Sequence, residues 1–270
     1  MKKICIILLL FLTFSCEDVI DVNLKNIEPK LVIDASINWI KDTDGKTQFI
    51  KLSLTAPYFN NTIPPAVGAK IIVTDSNNTI FNFNETDTPG TYKNSTFAPK
   101  INSTYTLTIT YNNEVYTATE TLKPVVEIEY IEQKNNGGFT SDETEIKAFY
   151  NDPKGIENFY FFEFINTATN ALNLDVYDDE FTDGNTIFAI YSDDDLIKGD
   201  EIVIKNVGIS QRFYQYMNLL IQQTQEASGN PFKAQSAPIR GNCTNQTNPE
   251  NYPFGYFRVS EVDLLNYTIQ

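Results

Sequence analysis

The sequence predicts a mainly β protein in two parts: a sandwich over 29–123, then a second β-rich domain over 124–270 carrying one amphipathic helix near 211–227. Three observations predict it. Apolar residues recur at every second position through many short segments. Gly, Pro, Asn and Asp clusters separate those segments at regular intervals. Aromatics make up 13 % of the chain, mostly Phe and Tyr, and Val, Ile and Thr are in steady supply, which favours strands.

The elements follow in order. Leu31–Ile40 places Leu31, Ile33, Ala35, Ile37 and Trp39 on one face of a half-buried strand. Residues 49–56 repeat the pattern with Ile50, Leu52 and Leu54, until Pro57 and Pro64-Pro65 break it. Residues 69–74 and 79–84 flank Asp75-Ser76-Asn77-Asn78 and read as a hairpin. Pro89-Gly90 turns the chain into Thr91-Tyr92. Tyr105, Leu107, Ile109 and Tyr111 share the next face. Asn112-Asn113 then turns that strand into 114–122, because Asn tolerates the positive φ of a tight hairpin. Seven short strands in about 95 residues suggest an immunoglobulin-like sandwich. The Cys…Trp…Cys core of true immunoglobulin domains is missing, so Trp39 reads as core or rim packing, with ligand stacking as the alternative.

Lys123-Pro124 is the expected boundary. Beyond it, 125–131, 146–150, 159–165, 172–177, 187–191 and 202–204 read as strands, with Gly137-Gly138 a loop. Residues 159–165 are apolar on both faces apart from Glu163, so they predict a central strand covered on both sides. Ser210 is a helix N-cap candidate. Phe213, Met217, Leu220, Ile221 and Thr224 then fall on one helical stripe, and Gly229 and Pro231 supply the stop. That stripe packs on the second sheet or, alternatively, docks into a partner's groove. The tail closes on a strand over 262–269.

Chemistry is constrained by what the chain lacks. It has 0 histidines, which removes Ser-His-Asp and Cys-His catalysis and His-ligated zinc. The net charge of -15 argues against nucleic acid as a partner, since phosphate neutralisation needs clustered Lys and Arg. No cofactor and no enzymatic activity are expected. The remaining catalytic candidate is Glu163, an acid on an apolar strand whose pKa burial would raise. A glycan hydrolase would pair it with a second acid about 5–10 Å away, a separation that the sequence does not set. Two acidic runs interrupt the second domain, one over 175–183 and one over 193–201. Asp178, Asp179 and Asp183 are the calcium candidates, although the spacing is not that of an EF-hand and solvated loops explain such runs as well. Arg240 reads as pairing with a core carboxylate or binding an anionic ligand.

The first residues determine location. Lys2-Lys3, an apolar run over 4–14 and the small residue Ser15 before Cys16 form a secretory signal over 1–15, too short to span a bilayer. Leu12-Thr13-Phe14-Ser15-Cys16 resembles a bacterial lipobox. Cys16 would then be acylated, anchoring the mature chain to the membrane through a lipidated tether over 16–28. The alternative is an ordinary signal cleaved nearby, with Cys16 a plain thiol. Glu17, Asp18 and Asp21 resemble the surface-export signal of Bacteroidota lipoproteins, or are a solvated tether. With Cys5 removed and Cys16 acylated, Cys243 stands alone and no intramolecular disulfide is expected.

Gly68-Ala69, Asp75, Gly90-Thr91-Tyr92, Tyr105-Thr106-Leu107, Asn230-Pro231-Phe232, Arg240-Gly241-Asn242 and Gly255-Tyr256-Phe257 follow one another in an order and spacing of their own. Together they resemble a Bacteroidota outer-membrane lipoprotein family, domain of unknown function 4249. Cys243 after Asn242 departs from the pattern. The resemblance implies a cell-surface lipoprotein on the outer membrane, an accessory or substrate-capturing partner of a TonB-dependent barrel. It supplies no catalytic residues. A structural or assembly scaffold without a small-molecule ligand is the alternative.

Overall fold

The computed structural model describes residues 28–57, 62–138, 143–226 and 239–270. The signal over 1–15, Cys16, the acids behind it and the helix stop at Gly229 and Pro231 lie outside the described residues.

The chain is mainly β. The first seven strands are β1 (Leu31–Ile40), β2 (Gln48–Leu54), β3 (Lys70–Asp75), β4 (Ile80–Glu85), β5 (Thr91–Asn94), β6 (Thr104–Tyr111) and β7 (Glu114–Thr121). They fall on the segments that the alternation marks. The turns follow from local chemistry. Asn112 and Asn113 both take positive φ, 47° and 62°, which a two-residue hairpin between right-twisted strands requires. The Asp75 carboxylate accepts the backbone N–H groups of Asn77 and Thr79, at 2.8 Å each, and closes the β3–β4 turn. Ile33, Ala35, Ile37, Ile50 and Leu52 face Ile71, Val73, Tyr105, Leu107 and Ile109 in one buried core. Trp39 packs at its edge and donates its indole N–H to the Thr43 carbonyl at 2.9 Å.

The second half adds β8 (Ile128–Gly137), β9 (Glu143–Asn151), β10 (Phe159–Asn166), β11 (Leu172–Asp178), β12 (Thr186–Asp193) and β13 (Glu201–Gly208). Helix α1 (Gln211–Glu226), β14 (Thr244–Asn245) and β15 (Phe254–Thr268) complete it. Strands β12, β9 and β8 form a small sheet of their own. Strand β10 is central, flanked by β11 and β13, and covered on both faces. Tyr160, Phe162 and Phe164 enter the second core, and Phe161 points the other way, towards α1.

The C-terminal stretch does not stay in the second domain. Strand β14 pairs with β7 of the first sandwich. Strand β15 pairs in parallel with β1 from Val32↔Phe254 to Ile40↔Val262, then antiparallel with β13 from Val207↔Val262 to Glu201↔Thr268. The reason is length: 15 residues extend about 50 Å, more than one sandwich can pair. One face of β15 puts Phe257 and Val259 into the first core and Leu265 and Tyr267 against the second. The opposite face offers Tyr256 and Val262 to α1. One continuous sheet of twelve strands, β11-β10-β13-β15-β1-β2-β5-β4-β3-β6-β7-β14, therefore runs through both sandwiches.

The boundary at Lys123-Pro124 is a pinned crossing. The Glu261 and Asp263 carboxylates accept the backbone N–H groups of Val125 and Ile128, at 2.9 and 2.8 Å. Gly208 permits the close pass, since a Cβ there would stand 1.9 Å from the Pro124 carbonyl oxygen.

Candidate functional site

The more buried of two groups of converging acids among the described residues lies at one end of the second sandwich. Strand β9 ends at Asn151, so Asp152 enters the following turn with its side chain inward and 5 % exposed. Strand β11 ends at Asp178, and Asp179 behind it is 4 % exposed. A tight turn then returns the chain towards β12, closed by Thr182 N–H to the Asp179 carbonyl and by Asn185 N–H to the Thr182 carbonyl. Asp183 rides on that turn, exposed to solvent. One carboxylate oxygen from each of Asp152, Asp179 and Asp183 lies within 4.8 Å of the others.

Each acid is held by neutral donors. Asp152 accepts the Tyr160 hydroxyl at 2.6 Å and the Gly184 N–H at 3.0 Å. Asp179 accepts Asn158 N–H at 2.8 Å, and Asp183 accepts Gly155 N–H at 2.6 Å. None of the four ion pairs among the described residues includes them. Burial, and then the bond to Asp152, raises the Tyr160 hydroxyl well above the usual tyrosine range. A cleft of about 410 Å³ opens between this turn and the start of α1, with Asp178, Asp179, Glu180 and Tyr214 on its wall.

Of the three calcium candidates in the sequence, the fold joins Asp179 and Asp183 and turns Asp178 away. Asp178 accepts the Tyr214 hydroxyl of α1 at 2.6 Å, a bond that pushes this hydroxyl up to about 12. Asp152 takes its place. Its position, 27 residues before Asp179 in an Asn-Asp-Pro turn, gives no local sign of the meeting. In the second acidic run, Asp193, Asp194 and Asp195 also converge, but mostly in solvent. Asp193 spends its oxygens on the Tyr191 hydroxyl and the Asp195 N–H.

Glu163 sits on the α1 side of β10 and accepts Lys205 Nζ at 2.7 Å. The isolated acid that a general-acid role requires is thus an ion-pair member. Arg240 meets an aromatic ring instead of a core carboxylate: its guanidinium lies 3.8 Å from the Tyr252 centroid, with the Lys30 ammonium 3.5 Å from the same centroid. The buried arginine is Arg258 on β15, near the rings of Phe213 and Phe161 at 5.2 and 5.9 Å. Cys243 is a free, buried thiol whose pKa burial pushes up to about 12, so it is no nucleophile at neutral pH.

Fold and site together define a helix-backed double β-sandwich built on one shared sheet, with a buried carboxylate cluster beside its joint. The chain belongs to the family described as domain of unknown function DUF4249, which matches residues 17–264. No curated protein matches it. Among solved structures, a two-domain fibronectin type III segment of chicken tenascin is 10 % identical, covering 67 % of this chain and 90 % of that one at a TM-score of 0.22. A DUF4785 family protein from Legionella pneumophila is 6 % identical, covering 66 % of this chain and 52 % of that one at a TM-score of 0.26.

Proposed function

We propose that this chain is a lipid-anchored lipoprotein of the outer-membrane surface, without catalytic activity, that serves a TonB-dependent transporter as an accessory or substrate-capturing partner. The observation that carries the reading is Leu12-Thr13-Phe14-Ser15-Cys16 behind a basic and apolar leader, with Glu17 and Asp18 directly after it. Lipid on Cys16 is the attachment, because a chain of net charge -15 gains nothing from an anionic surface. A body whose halves share one strand suits a part that must hold its shape against a partner.

The test is purification of the tagged, lipidated chain from native membranes in mild detergent, followed by mass spectrometry. A TonB-dependent barrel in stoichiometric amount is the expected outcome. A clean preparation without one removes the transporter role and leaves a free-standing scaffold. Substituting Cys16→Ala separates the anchor from the partner: the variant is expected to leave the membrane fraction.

A further inference from the structure

We infer that Asp152, Asp179 and Asp183 form a calcium site that braces the loops at the joint between the two sandwiches. Two of the three carboxylates are buried, and none has a cationic partner among the described residues. Buried charges persist when they are paired or hold a metal. A second observation is independent of the acids. Tyr150, near the end of β9 and two residues before Asp152, is 0 % exposed, and its hydroxyl has no hydrogen-bond partner. Its ring packs edge-on against Tyr160, whose hydroxyl already reaches Asp152. That sets the unspent Tyr150 side chain beside the bond that Tyr160 makes to Asp152. The Thr182 hydroxyl, inside the turn between Asp179 and Asp183, is likewise buried without a partner.

The donors name the cation. All are oxygens, with no nitrogen or sulfur among them, which selects a hard ion over zinc or copper. Calcium accepts an irregular shell of oxygens, whereas magnesium demands near-ideal octahedral geometry and keeps several waters, so three carboxylates brought together from two loops suit the larger ion. Three carboxylates leave part of a shell of 6–8 oxygens to water, which the cleft beside Asp179 can admit. Bound there, calcium would tie the loop over 152–158 to the turn over 179–185. Ile156 and Asn158 of that loop line one cleft with Asn102 and Lys123 of the first sandwich and with Pro124 just past them, so the tie acts on the joint. It would also fix Phe181, 88 % exposed at the crown of the turn. Failure of this inference leaves the membrane role untouched, since the two rest on different residues.

The full mature chain, stripped with EDTA, is titrated with calcium chloride by calorimetry and by displacement of terbium, whose luminescence the neighbouring tyrosines sensitise. One calcium per chain and a thermal midpoint that rises with calcium are expected. Asp183→Asn is the informative variant, because this exposed acid gives up one backbone bond and the chain should keep its metal-free midpoint. Its calcium affinity should fall about tenfold or more. The pair Asp194→Asn and Asp195→Asn should bind as the parent does. The inference is overturned by no heat and no midpoint shift at millimolar calcium. It is overturned equally by full affinity in Asp183→Asn, or by loss only in the Asp194 and Asp195 variant.

Discussion

Arg258 is a buried cation with unspent donors. It is 3 % exposed, and its Nε and Nη1 donate to nothing. Burial lowers its pKa, opposed by the fields of Glu163, Asp34 and Glu120, none of which bonds to it directly. An unpaired buried charge costs more than the apolar side chain that could replace it. Arg258→Met should therefore fold with its urea midpoint at or above that of the parent. A loss beyond about 1 kcal/mol would instead show that the guanidinium holds a group of its own. At this scale the sequence is a poor guide. Arg240 lies between Ile239 and Gly241 and Arg258 between Phe257 and Val259, and neither setting tells that one stacks on Tyr252 while the other is buried near Phe213. Asp178, Asp179 and Asp183 read as one run, but strand parity sends Asp178 to Tyr214 and Asp179 inward to Asp152. Local patterns report which face a residue takes and are silent on what a distant strand brings to that face.

Elements were far more legible than sites, because their signals are local. The period-two alternation marks β1 to its last residue, and the Asn-Asn, Asp-Ser-Asn-Asn and Pro-Gly turns carry their own backbone chemistry. Helix α1 shows how such a signal becomes energy. The Ser210 hydroxyl accepts the Phe213 N–H at 3.2 Å and meets the Glu120 carboxylate at 3.0 Å, so one oxygen caps the helix and ties it to β7. The stripe behind it buries Phe213 and Met217 against Phe161, Val207 and Tyr256, each large side chain contributing about 1.5–3 kcal/mol. Ser210→Ala should cost about 1–2 kcal/mol, read from the urea midpoint, and Ser210→Thr should recover most of it. An alanine variant as stable as the parent would mean that packing alone holds the helix start.

At the scale of the molecule, the decisive contact was illegible. Residues 32 and 254 meet in a parallel pair across more than two hundred positions, and nothing local encodes such a pairing. The sequence shows a strand near the end of the chain; which sheet it joins depends on where both sandwiches already stand. Two packed cores joined by a flexible linker would melt separately. Here the linker is pinned, and β15 supplies buried side chains to the first core and the helix-covered face and partly buried ones to the second core. Gly255 fixes its entrance: at φ 88° a Cβ would meet the Ile33 carbonyl oxygen at 2.0 Å, so no other residue lets β15 lie against β1. Opening either sandwich strips β15 of a partner and exposes the other core. Urea unfolding followed by far-UV circular dichroism and by the fluorescence of Trp39, which reports only on the first sandwich, should therefore give coincident single transitions. Gly255→Ala should break the coupling as well as lower stability, so that the fluorescence transition moves to lower urea and separates from the dichroism transition. Two resolved transitions in the parent chain would show that β15 is a passive bridge and that the sandwiches are thermodynamically separate.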